Sequence, residues 1–85
     1  MENQVMENMM LKFLVINYPI SRVKNSTPIN KHIRFKRGIL LDNGKTYFLS
    51  DKLAIIEVKH RLLDILKKVF YCNELTCLAV LNRFL

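Results

Sequence analysis

Between His32 and Ser50 the chain reads as two short runs in which apolar and polar residues alternate, separated by Asn43-Gly44. Alternation with a period of two places successive side chains on opposite faces of a sheet, so it predicts strands at His32–Asp42 and Lys45–Ser50. Asn-Gly is a strong two-residue hairpin signal, because both central positions of a type I′ turn need positive φ. That turn would set Leu41 opposite Thr46, Leu40 opposite Tyr47 and Ile39 opposite Phe48. One face would then carry Ile33, Phe35, Arg37, Ile39, Leu41, Thr46 and Phe48 as a core face. The other would carry Arg34, Lys36, Leu40, Asp42, Lys45, Tyr47 and Leu49. Gly38 is a candidate bulge.

The pattern changes after Ser50. Leu53, Ile55, Ile56, Val58, Leu62, Leu63, Ile65, Leu66, Val69 and Phe70 recur at helical spacing. They predict a long amphipathic helix from Lys52 to Phe70, capped by Ser50 or Asp51. Glu57 with Arg61 and Asp64 with Lys68 are favourable pairs four residues apart. Asn73 opens a second, short helix, Glu74–Arg83, apolar on more than one side. Upstream, Leu11–Tyr18 is a short apolar run rich in Val, Ile, Phe and Tyr. Its length and composition predict a first strand, ended by Pro19 and continued past a bend near Arg22 and Val23. Ser21–Asn30 is polar, contains Pro28 and reads as a loop; residues 1–8 read as a flexible tail.

The expected fold is therefore α+β. It has a small three-stranded antiparallel sheet in β-β-β order, packed on one long helix plus a short C-terminal helix. Residues 9–85 make a single small domain, since a chain of 85 residues has no room for a second. A composition of 51% hydrophobic and 25% charged residues is that of a folded domain rather than a disordered one. The N-terminal residues lack the basic-then-apolar pattern of a signal peptide, and no apolar run approaches the ~20 residues of a membrane span. A cytoplasmic protein is the expectation.

Charge adds a candidate activity. The net charge of +7 is unevenly placed: residues 12–52 hold nine bases against Asp42 and Asp51, and no acid lies between Ser21 and Gly38. Such a concentration suits a polyanion. Arg34, Lys36 and Lys45 would project from the polar sheet face with Tyr47 to stack on a base or sugar. Arg22, Lys24 and Lys31 on the preceding loop would extend the contact along a phosphate backbone. The competing interpretation is a solvated strand face whose cations oppose edge-to-edge aggregation.

A second candidate lies at the C-terminus, where Leu75, Leu78, Leu81, Phe84 and Leu85 are more apolar surface than one small core readily hides. They point to a homodimer or a docking site for a protein partner, or to a helix folded back to complete a monomeric core. Chemistry is thin elsewhere. Glu57, His60 and Asp64 share one side of the long helix but read better as a solvated polar face than as a metal or acid–base site. His32 stands alone. Cys72 and Cys77 have neither zinc-site spacing nor a histidine near in sequence, and read as buried thiols. With two glycines in the chain there is no phosphate-cradling loop. The expectation is a protein that is not an enzyme and needs no cofactor. Its function would be a small nucleic-acid-binding module using a cationic sheet face, or alternatively a protein–protein assembly module using the C-terminal helix.

Overall fold

A computed structural model describes residues 2–25 and 34–85, with side chains described from Gln4 to Lys24 and from Phe35 onward. The elements follow the order α1 (Glu2–Asn17), β1 (Ile20–Asn25), β2 (Arg34–Leu40), β3 (Thr46–Phe48), α2 (Lys52–Phe70) and α3 (Glu74–Phe84). The strands form one antiparallel sheet in the order β1-β2-β3. The arrangement is the expected α+β one, with a helix added at the N-terminus.

That added helix corrects the strand expected at Leu11–Tyr18. The run is the second half of α1, and residues 2–8, expected as a tail, are its first turns. An apolar window of eight residues cannot by itself separate a strand from a buried helix segment. Met10 and Leu14, four residues apart, are fully buried on one side of α1, while Leu11 and Phe13 pack beside them. The Asn17 Nδ2 group donates to the Phe13 carbonyl at 2.8 Å and the Tyr18 N–H to the Leu14 carbonyl at 2.8 Å, occupying carbonyls at the helix end. The first strand comes after Pro19, at Ile20–Asn25. The front of the Ser21–Asn30 stretch expected as a loop is therefore strand, where only its part near Arg22 and Val23 was expected to be so; residues 26–30 fall outside the described residues.

Helices α2 and α3 are placed as their periodicity and caps predict. The Asp51 carboxylate accepts from the Leu53 N–H at 3.0 Å and starts α2. Tyr71 ends it in the left-handed conformation, φ 53°, with its N–H on the Lys67 carbonyl. The Asn73 side chain accepts from the Thr76 N–H at 2.8 Å and starts α3. The core joins Met10 and Leu14 of α1, Ile39, Leu41 and Tyr47 of the sheet region, Val58, Leu62 and Leu66 of α2, and Cys77, Val80 and Leu81 of α3. A 3.9 Å pair between Arg83 and Glu7 also links α3 to α1.

The hairpin register differs from the expected one by a residue. Leu40 faces Thr46, Ile39 faces Tyr47 and Gly38 faces Phe48. Gly44 has φ 78° while Asn43 keeps a negative φ. The Gly44 N–H bonds to the Leu41 carbonyl at 3.0 Å and the Leu41 N–H to the Lys45 carbonyl at 3.3 Å. This is a three-residue loop closed by a left-handed glycine, the alternative to a type I′ turn. A shift of one residue exchanges the faces of a strand. Tyr47 therefore shares the face of Ile39 and is buried, and Phe48 takes the opposite side. Gly38 is no bulge: it pairs with Ser21 on one side and Phe48 on the other. Its missing side chain makes room for the methyl groups of Val23 and Thr46, which would lie 3.1 and 3.3 Å from an added Cβ.

Candidate nucleic-acid interface

The helices cover only one end of the sheet. On β2, Ile39 is fully buried, but Phe35, two pleats further along the same face, is 61% exposed. Strand β1 packs on β2 and on no other element to a comparable extent. The two strands thus form an arm that leaves the helical body, in a molecule measuring 51 × 19 × 19 Å.

The arm concentrates the positive charge. Cross-strand partners are Arg22 with Arg37, Val23 with Lys36, and Lys24 with Phe35. Directly opposite residues of an antiparallel pair point to the same face. One face therefore presents Arg22, Arg37, Lys24 and Phe35, and the other presents Lys36 and Val23. Arg22, Lys24 and Arg37 are exposed and Lys36 is half-buried. Among the described residues none of these four cations has a carboxylate within ion-pair distance; the pairs formed are Arg61 with Asp42, Lys68 with Asp64, and Arg83 with Glu7. Two arginines held opposite each other without a neutralising acid repel, and an arriving anion relieves that repulsion.

The residues expected to form the site divide into three groups. Arg22, Lys24 and Lys36 lie on the arm. Arg34 holds a register position opposite Asn25 at its far end, and Lys31 falls outside the described residues. Lys45 and Tyr47 belong elsewhere. The Tyr47 ring is 4% exposed; its hydroxyl donates to Glu57 Oε1 at 3.0 Å and accepts from Asn43 Nδ2 at 3.1 Å. It cannot be the stacking residue, because the register turns it into the core. Lys45 Nζ sits over the Tyr47 ring, 5.5 Å from its centre. Lys36, Lys45 and Tyr47 do line one shallow depression of about 310 Å³ beside the edge strand, but Asp51 and Glu57 line it too. Their carboxylates make it a poor seat for a phosphate. Sequence alternation assigned Arg37 and Phe35 to the core face. The face is as expected, but the core stops at Ile39.

The other candidates are also placed. Leu81 is fully buried against the core, so it is core rather than interface. Leu75 is 80% exposed, while Leu78, Phe84 and Leu85 are half-buried. Glu57 is engaged by Tyr47 and Asp64 by Lys68 at 3.2 Å. Arg61, expected to pair with Glu57, instead reaches Asp42 at 3.4 Å and ties the hairpin turn to α2. Among the described residues no group of three His, Cys, Asp or Glu side chains is placed to hold a metal ion. Both cysteines are free, Cys72 half-buried and Cys77 buried. Among the described residues no helix is long and apolar enough to cross a membrane. Compared with protein-family models, curated proteins and solved structures, the chain matches none.

Proposed function

We propose that the protein is a small nucleic-acid-binding module whose contact surface is the β1–β2 arm. One observation carries this reading: Arg22, Lys24, Lys36 and Arg37 stand on two paired strands that leave the helical body, with no acid among them. Extended cations of this kind suit the regularly spaced phosphates of a nucleic-acid backbone, and such contacts position a protein without reading bases.

Fluorescence anisotropy with labelled single- and double-stranded DNA and with RNA tests it. Four phosphate contacts, at about 0.7–0.9 each, predict a slope near −3 in log K against log salt. The double substitution Arg22→Glu, Arg37→Glu should abolish binding with an unchanged circular dichroism spectrum, since both side chains are exposed. Full affinity in that variant, or no binding of any nucleic acid at low salt, refutes the reading.

A second reading is self-association through the α2–α3 surface. It is favoured by the exposure of Leu53, Ile56 and Leu75 beside a groove of about 260 Å³ that Ile56, Leu63 and Leu78 help to line. It predicts a dimer mass by light scattering that persists in high salt and falls to a monomer mass on Ile56→Lys. A monomer mass for the unaltered protein removes it.

A further inference from the structure

Phe35 is the anomaly of the arm. It is 61% exposed, although the same face holds buried Ile39 two pleats away. The level between them is occupied by Arg22 and Arg37, directly opposite each other. A phenylalanine that merely extended the core would touch it; this one is cut off from the core by a pair of arginines. No other ring in the described residues stacks on it: the aromatic contacts formed are Phe13 with Tyr18 and Phe13 with Phe70.

The neighbours of the ring define a site. Lys24 is its directly opposite partner, about 5 Å away across the strands. Arg37 follows it by two residues on the same strand and face, about 7 Å along the sheet. An exposed aromatic face is thus flanked by cations across the strand and one step along it. In a nucleic-acid strand, likewise, each base has phosphates on either side along the chain. We infer that the arm binds single-stranded nucleic acid, with one unpaired base stacked on Phe35 and the adjoining phosphates held by Lys24, Arg22 and Arg37.

The choice of a single strand follows from what the ring can reach. In a duplex each base face is covered by the neighbouring pair, so the ring gains nothing without unstacking a step. In a single strand every base offers a π-face. Stacking also tolerates any base, which fits a face whose described side chains, Arg22, Lys24, Phe35 and Arg37, include no carboxamide or carboxylate to read an edge.

This inference rests on the nucleic-acid reading, and the test separates the two. The chain contains no tryptophan, so Phe35→Trp introduces a single reporter at the site. Titration with oligothymidylate of about 12 nucleotides, a site size within the range usual for such surfaces, should quench the tryptophan emission saturably. The matching duplex at the same ionic strength should leave the emission nearly unchanged. In anisotropy assays Phe35→Ala should weaken single-strand binding by about 5- to 100-fold and leave duplex binding unaltered. Equal binding of single strand and duplex, with no effect of Phe35→Ala on either, overturns the stacking site while phosphate binding by the arm stands. Failure of every nucleic acid to bind the unaltered protein overturns both.

Discussion

The Tyr47 hydroxyl donates to Glu57 Oε1 at 3.0 Å, joining the edge strand to the first turns of α2. It also accepts from Asn43 Nδ2, and the Asn43 side chain in turn accepts from the Lys45 N–H at 3.1 Å. Turn, strand and helix therefore share one hydrogen-bonded chain, with the ring below it in the core. Tyr47→Phe keeps the ring and removes the hydroxyl, while water can satisfy the exposed Asn43. The expected cost is about 1 kcal/mol, read as a lower urea midpoint at unchanged m. Tyr47→Ala should cost about 3–5 kcal/mol. Nucleic-acid affinity of the folded Tyr47→Phe protein should match that of the parent, because Tyr47 lies off the arm.

Leu75 and Leu81 share α3 and differ completely in surroundings: 80% against 0% exposed. Leu81→Ala should lose about 2–5 kcal/mol through the cavity it leaves, a large part of the total for a domain whose whole stability is on the order of 5–15 kcal/mol. Leu75→Ala should stay within about 0.5 kcal/mol. Thermal melts of the two variants check the contrast. A comparable loss at Leu75 would mean that this side chain is covered in solution.

The two glycines should respond to alanine for different reasons. At Gly44 an added Cβ would meet nothing within 4 Å, but φ is +78°, so the cost is conformational, about 1–2 kcal/mol. Gly44→Asn should recover part of it, because asparagine tolerates that region better. At Gly38 the backbone is ordinary strand, and the Val23 and Thr46 methyl groups at 3.1 and 3.3 Å must move. Asparagine there should be worse than alanine. The order of stability Asn above Ala at residue 44 and Ala above Asn at residue 38, measured by denaturant titration, checks both assignments.

What could be read in the sequence was whatever has a local cause. The caps Asp51 and Asn73 and the helical stripe of α2 depend on neighbours within one turn, and they stand where expected. Helix α1 has a remote cause. Its apolar residues lie nearly all round the helix, with Val5, Met9 and Ile16 exposed and Met10 and Leu14 buried. Its inward side is therefore settled by packing on α3, more than 50 residues later in the chain. The hairpin failed by one residue for another reason. Asn-Gly fits both a two-residue and a three-residue loop, and only the conformation of Gly44 separates them. That single residue moved Tyr47 from the expected binding face into the core. The cationic stretch itself was legible from charge alone. The roles of Arg37 and Phe35 were not, because alternation identifies a face without saying how far along it the helices reach.

Cys77 gives the last prediction. Burial pushes its thiol up to about 12 from the ordinary 9.0, and contact with the Cys72 thiol acts in the same direction, while Lys67 opposes both. The folded state therefore favours the neutral thiol more than the unfolded chain does. A pKa raised on folding contributes stability that is fully present below the unfolded value and lost as pH rises through the folded one. Stability should accordingly fall between pH 9 and about 12 by more than it falls in Cys77→Ser, which cannot ionise there and so serves as the reference for slope rather than for absolute stability. Reactivity follows the same logic, since the thiolate is the nucleophile. With an alkylating reagent at pH 8, which leaves no mixed disulfide for the neighbouring thiol to displace, half-buried Cys72 should react quickly, and Cys77 should react only at the rate of unfolding. Two thiols alkylated quickly in the native protein would place Cys77 within reach of solvent and contradict its burial.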